Sequence, residues 1–558
     1  MLPFSRARRD IAAVLVLGVV WIVMILGANP SGDFPLNDDW IYGGTVKSIV
    51  AGNGFRMAGP TIANLFVQAY WGALFCLPFG FSFVALRAST LVLGLLGLVT
   101  FYALAREMGA SRTMALAAAL TLAANPLFFD LANTFMTDVP FLTLALMATY
   151  AFVRGLSGPS PRWLAAGIVV ALIAILLRQV GITLLVAFAV AYPVRKGFTR
   201  SSLLTGMMAV LPGIVVHFAY QRWLIASGQG TELVISGVGE LLPPSVGAFI
   251  GKSARYSIFV LPYVGAGLLP FVIATLTLRQ REAGKRNWRG RVLIGVISGA
   301  IFAGLWWKHD TLPVLGNVLM ATGIGPLTQR DTYLRLINLP PVPPILAVMW
   351  IAMTGLGVTA SVWVLRAIVA RIWRAVRQPQ SPEDSACMFV LVLAVAYWGM
   401  ILVLINGSGY FFDRYLLPLV PLMIVLVPAA SIPPRPAAWR CVAGGAPIFA
   451  MALASVLATH DYLAWNRARW AVLADLTGPG AIAADRIDGG YEFNGTRLYD
   501  PHYRPSATKS YWWVRDDEYV LASGPMTGYR TVSQRAVDRW LPIGPDAVLV
   551  LHRQPPPP

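Results

Sequence analysis

The sequence predicts an all-α polytopic membrane protein of about thirteen transmembrane helices, followed by a small mixed α/β domain at the C-terminal end. Three observations predict it. The chain of 558 residues is 57% hydrophobic and only 13% charged. Apolar runs long enough to cross roughly 30 Å of hydrocarbon recur from the N-terminus to about residue 458. From Asp461 onward the composition changes to one balanced in charge and rich in Trp, Tyr, Gly and Pro.

A water-soluble domain of this length needs far more polar surface. The net charge of +18 does not indicate a nucleic-acid partner, because the Lys and Arg residues are spread through short segments between apolar runs and form no basic face. Cys76, Cys387 and Cys441 lie in apolar sequence without metal-ligand spacing and read as small core hydrophobes.

The spans are expected at about residues 11–28, 85–105, 113–129, 139–153, 163–177, 180–193, 203–224, 256–278, 291–307, 344–366, 386–405, 415–431 and 441–458. The first follows Arg6, Arg8 and Arg9, lacks a small-residue cleavage site and reads as a retained signal anchor. The short pair either side of Arg178 competes with one broken or re-entrant segment. Counted alternately, the loops on the N-terminal side carry the larger share of Lys and Arg, which makes that side cytoplasmic. A multi-pass protein of the bacterial inner membrane follows, with a transmembrane domain over 1–458, outer loops at 29–84, 225–255 and 308–343, and a periplasmic domain over 459–558. Within the first loop, Leu65 to Phe75 is aromatic-rich, short for a crossing and suited to lying in the interface. The sequons at Asn406 and Asn494 carry no weight in such a membrane, and Pro555 to Pro558 reads as a frayed end.

Charge close to hydrocarbon is costly and marks functional candidates. The first lies in Leu36 to Tyr42, where Asp38 and Asp39 are adjacent. Neighbours on a regular element cannot both face one small pocket, so one carboxylate acts as a general base while the other holds the loop, unless the pair is a solvated turn. The second is Asp138, at the outer mouth of the fourth span with Pro140 beside it; capping accounts for it equally well. The third is Arg178, between apolar runs, suited either to reaching headgroups or to clamping a lipid phosphate. The fourth is Gly409 to Pro418, in which Asp413 and Arg414 either pair together or leave Arg414 to stabilise an anionic leaving group while Tyr415 contacts a sugar or isoprenoid. Lys308, His309 and Asp310, with Arg330, Asp331 and Arg335, are weaker candidates. His217 reads as a packed polar residue, and the five histidines offer no paired spacing for a metal.

With these residues the chain resembles the bacterial membrane glycosyltransferases of the C-type fold, in particular the group that includes protein O-mannosyltransferases and the lipid A aminoarabinose transferase. The resemblance rests on the acidic pair in a long first outer loop, the Met136-Thr-Asp-Val-Pro motif, Arg87 entering the second span, and Phe412 to Pro418, over about residues 10–430. It implies transfer of a sugar from a polyprenyl-phosphate carrier to a lipid, glycan or protein acceptor at the outer face, with inversion. Asp39 or Asp38 matches the first-loop catalytic acid and Asp138 the second acidic position, while Arg178 suits the donor phosphate. No cofactor is implied with certainty, and a divalent cation remains compatible with the aspartates. The chain departs from the family at Gly59 to Trp71, which lacks the basic residue of a Lys-Pro-Pro-like segment, so the donor phosphate is held from elsewhere or the donor differs. A transporter or flippase for a lipid-linked or anionic substrate is the competing class; it predicts two repeats with broken helices near the midplane.

Overall fold

The computed structural model describes residues 3–158, 160–229, 245–279, 288–325, 342–377, 382–408, 411–428, 437–478, 481–504 and 512–555. Its helices are α1 (Pro3–Ala28), α2 (Asp39–Val50), α3 (Phe66–Cys76), α4 (Phe83–Glu107), α5 (Arg112–Ala124), α6 (Pro126–Ala132), α7 (Asp138–Ser157), α8 (Pro161–Leu177) and α9 (Ile182–Lys196). They continue with α10 (Arg200–Ala226), α11 (Val246–Leu278), α12 (Trp288–Trp307), α13 (Pro344–Arg377), α14 (Pro382–Ser408), α15 (Leu419–Leu426), α16 (Ala438–Thr477) and α17 (Tyr491–Leu498).

Among the described residues nine helices are long and apolar enough to cross a membrane: α1, α4, α7, α10, α11, α12, α13, α14 and α16. A tenth is obtained if α5 and α6 count as one span bent by 63°. The chain is a multi-pass membrane protein. The expected thirteen spans are not reached by this measure. The pair around Arg178 forms two separate helices of 17 and 15 residues, α8 and α9, joined by a single 3-10 turn. Of the span expected at 415–431, residues 429–431 lie outside the described residues; the rest begins in the 3-10 turn Asp413–Leu416 and continues into the eight-residue α15. Pro428 pushes Val427 into extended backbone and ends that helix. The bend between α5 and α6 has a local cause too. Pro126 cannot continue the hydrogen-bond ladder of α5, and the Asn125 side chain restarts it by accepting from the backbone N–H groups of Leu127 and Phe128.

Packing needs small residues where helices cross. A Cβ on Gly265 of α11 would sit 1.7 Å from the Gly357 carbonyl oxygen of α13, so that crossing admits only glycine. On the rim, large apolar side chains such as Leu211, Val215 and Phe218 of α10 and Val292 and Val296 of α12 remain exposed, as a lipid-facing surface requires.

The bundle has two polar ends. At one, Asp10 of α1 meets Tyr102 and Arg106 of α4 and Arg112 of α5. At the other, the loop after α1 meets the start of α4, the start of α7, the turn after α8 and the turn before α15. α16 continues past this second end without interruption to Thr477. Beyond it lies a small extramembranous region: α17 and a four-stranded sheet of β3 (Ile487–Asp488), β4 (Tyr519–Ala522), β5 (Tyr529–Ala536) and β6 (Ala547–Arg553), following the short hairpin β1 (Leu319–Met320) and β2 (Gly323–Ile324) in the chain. The sheet order is β3-β4-β6-β5, with β3 parallel to β4 and the other pairs antiparallel. Leu521, Val548 and Val550 bury its inner face against Trp465, Val472 and Leu473 of α16. Asp461 fixes the 540–541 segment by accepting from the N–H groups of Trp540 and Leu541 at 2.7 and 2.8 Å.

Candidate functional site

The second polar end is organised around residues 29–38. Asn37 has φ +54°, a backbone state that asparagine tolerates, and it turns the chain into α2. Arg87, expected among the substrate-binding residues, serves this loop instead. Its terminal nitrogens donate to the carbonyl oxygens of Pro30, Gly32 and Phe34 at 2.6, 3.1 and 3.0 Å, and the side chain is buried. Asp33 accepts from the Phe83 N–H at 2.6 Å, at the start of α4, so loop and helix hold each other.

The two adjacent aspartates part company. Asp39 is 1% exposed, and its two carboxylate oxygens accept from the N–H groups of Leu36 (3.2 Å) and Phe135 (2.9 Å). Burial pushes this carboxyl up to about 8, against the Arg87 charge and those two N–H groups. Asp39 thereby ties the first loop to the 133–137 segment. Asp38 keeps a side chain 20% exposed; one oxygen accepts from the Tyr491 hydroxyl at 2.9 Å and the other faces the Arg414 guanidinium at 3.5 Å.

Asp138 opens α7 without making a side-chain cap. Its Oδ1 instead accepts from Arg178 at 2.7 Å, while its buried Oδ2 has no protein partner among the described residues. Arg178 stands at the end of α8, with its guanidinium 5.8 Å from the Tyr415 ring and 6.0 Å from Phe141. Arg414 lies between the two acids. Burial opposes its charge, but Asp138 and Asp38 outweigh burial and hold its pKa above the usual range. Its Nε is buried without a partner among the described residues, and its guanidinium is also 5.8 Å from Tyr415. Two carboxylates and two guanidiniums thus gather beside one tyrosine ring.

Asp413 and Arg414 do not pair with each other. Asp413 is fully buried and accepts from the N–H groups of Val318 and Leu319, at 2.7 Å for Leu319, which anchors the turn that presents Arg414. Lys308 is exposed just beyond α12 and outside the cluster, and Asp310 pairs at 3.5 Å with Arg255. Arg330, Asp331 and Arg335 lie outside the described residues. No group of three or more His, Cys, Asp or Glu side chains among the described residues is arranged to hold a metal ion. Residues beyond the reach of the sequence motifs also enter the site. Tyr491 arrives from the C-terminal region, and Tyr397 of α14, which donates to the Tyr415 carbonyl at 2.8 Å, backs the tyrosine. Neither has a local motif that marks it.

Residues 65–223 match the family described as dolichyl-phosphate-mannose-protein mannosyltransferase. The match covers less than half of the chain; it includes Arg87, Asp138 and Arg178 and stops short of Asp38 and Arg414. No curated protein matches the chain. Among solved structures, the chain is similar to ArnT from Cupriavidus metallidurans bound to undecaprenyl phosphate, at 15% identity over 97% of each chain with a TM-score of 0.40. It is similar to the archaeal oligosaccharyltransferase AglB from Archaeoglobus fulgidus at 15% identity, over 91% of this chain and 61% of that one, with a TM-score of 0.46. For the protein O-mannosyltransferase complex of S. cerevisiae bound to its sugar donor, the identity is 19% over 39% of this chain and 34% of that chain, with a TM-score of 0.33. Similarity this distant assigns no role to any residue here.

Proposed function

We propose that the protein transfers a glycosyl group from a polyprenyl-phosphate-linked sugar to a lipid, glycan or protein acceptor at the outer face of a bacterial inner membrane, with its N-terminus cytoplasmic and the region after about residue 459 periplasmic. The observation that carries this reading is the convergence of Asp38, Asp138, Arg178 and Arg414, from four distant segments, at one end of the bundle. The family match over residues 65–223 supports it.

Asp38 is the general base in this scheme. It is the only one of the two adjacent acids with solvent access, and Asp39 is committed to backbone N–H groups. Arg414 faces Asp38 at 3.5 Å; a donor phosphate that draws the guanidinium onto itself leaves the Asp38 carboxylate free to accept a proton. The acceptor hydroxyl then attacks the anomeric carbon as its proton passes to Asp38. The bond from that carbon to the phosphate oxygen breaks, and the electron pair leaves on the polyprenyl phosphate, stabilised by Arg414 and Arg178. A single displacement of this kind inverts the anomeric centre. Asp138 holds Arg178 in place.

The test is transfer of radiolabelled sugar from a panel of polyprenyl-phosphate sugars to membrane lipids and glycans by the purified protein. Transfer that Asp38→Asn abolishes is the expected result, whereas a folded protein inactive across the panel returns the weight to transport of a lipid-linked substrate.

A further inference from the structure

The C-terminal region reaches the acidic loop of the candidate site through Tyr491 and Glu492. Tyr491, the first residue of α17, donates to Asp38 at 2.9 Å. Glu492, the next residue, accepts from the Asn37 N–H at 2.8 Å through Oε1. Its other oxygen accepts from Arg469 of α16 at 2.9 Å, in a pair whose two side chains are 0% exposed. On the same face Arg467 donates to the Asn29 carbonyl at 2.8 Å, and Phe34 and Leu36 pack on Tyr462 and Leu463.

Two adjacent residues of a short helix therefore hold two adjacent residues of the acidic loop. A fully buried ion pair is a costly way to fix a helix, since desolvating both charges offsets most of their attraction. Here the second carboxylate oxygen is spent on one specific N–H group, next to the carboxylate that has to be aimed. Trp40, immediately after the acidic pair, packs its indole 5.9 Å from Tyr491 and 5.4 Å from Trp513. Trp513 itself adopts φ +58°, a state that a bulky residue rarely takes unless its surroundings impose it. Arg87 grips the same loop from the bundle side.

We propose that α17 completes the site: Tyr491 and Glu492, the latter held by Arg469, are positioning residues that aim the Asp38 carboxylate, so the bundle without its C-terminal region has an unaimed base. The proposal rests on the reading of Asp38 as the base of glycosyl transfer. In the full-length protein, Tyr491→Phe keeps the ring stack and removes only the hydroxyl. The expected result is a fall in kcat of about tenfold or more, as for loss of a hydrogen bond to a charged group, with donor KM changed less than about threefold. A residue that only stabilised the fold would lower the amount of active protein and spare kcat per folded molecule.

Two double variants remove the buried ion pair while differing in one atom set. Arg469→Met with Glu492→Gln retains a carbonyl acceptor for Asn37, and Arg469→Met with Glu492→Met does not. The second is expected to speed amide exchange at Asn37 and to lose more kcat than the first. Wild-type kcat in Tyr491→Phe, or equal exchange at Asn37 in the two double variants, overturns the proposal. The exchange comparison needs no turnover. Faster exchange in the second variant of a protein whose wild type transfers nothing defeats the reaction reading and supports the clamp.

Discussion

The two polar ends of the bundle carry the same chemistry, carboxylates beside arginines, under opposite conditions. At the end formed by α1, α4 and α5, Asp10 meets Arg106 at 3.5 Å and Arg112 at 3.0 Å, and these side chains are about one-third exposed. At the other end Asp138 is 4% exposed against Arg178, and Arg414 is 10% exposed against Asp38. Water screens the first cluster, so its geometry is worth little. In the second, Asp38, Asp138, Arg178 and Arg414 pair among themselves, while backbone N–H groups hold the neighbouring Asp39 and Asp413. Buried pairs are screened far less than exposed ones, so which side chain meets which has the larger effect at this end.

The comparison can be broken by substitution, beginning with the largest expected effect. Asp38→Asn is expected to lower kcat by about 10²–10⁴ while donor binding persists, the range for loss of a general base; steady-state transfer kinetics with a direct donor-binding measurement check it. Arg414→Lys keeps the charge but loses the fork, and a fall of about 10² in kcat is expected, as for removal of one transition-state donor. Equal activity would show that the buried cluster is structural like its counterpart.

Asp39→Asn sharpens the contrast within the acidic pair. One of the two N–H groups that Asp39 accepts would face an amide NH2, at a cost of about 1–3 kcal/mol in stability, read as a lower melting temperature while kcat per folded molecule changes much less than in Asp38→Asn. Its pH dependence has a definite sign. Burial raises the folded pKa from 3.8 to about 8, so between those values the folded protein keeps a proton that the unfolded chain has released. The contribution of Asp39 to stability is complete below about 4 and falls as pH rises through about 8. Melting temperatures at low and neutral pH should diverge less in Asp39→Asn than in the wild type. The smallest effect belongs to the other end: Asp10→Asn is expected to cost under about 1 kcal/mol and to leave transfer unchanged.

Much of the membrane architecture was legible because a lipid-crossing helix announces itself in one local run of residues. The nine long helices coincide with expected spans. Among the described residues the expected count is not reached at three places: α8, α9 and α15 are short, and their apolar runs are interrupted by Arg178 or ended by Pro428. The candidate residues were legible in kind, since charge beside hydrocarbon is rare. Their partners were not. Asp413 and Arg414 are neighbours that face different elements, and Arg87 spends its donors on the first loop.

The sequence by itself determined that this is a multi-pass membrane protein with a polar C-terminal region and with acids and arginines at span boundaries. Those are properties of local composition measured against a fixed bilayer thickness. Only the tertiary structure decided which of Asp38 and Asp39 remains available, that Asp138 meets Arg178 and makes no cap, and that Tyr491 and Glu492 reach back across more than 450 positions to the first loop. A carboxylate one residue from its neighbour along the chain has the same composition around it. What separates the two is which N–H, hydroxyl or guanidinium the fold places opposite each oxygen.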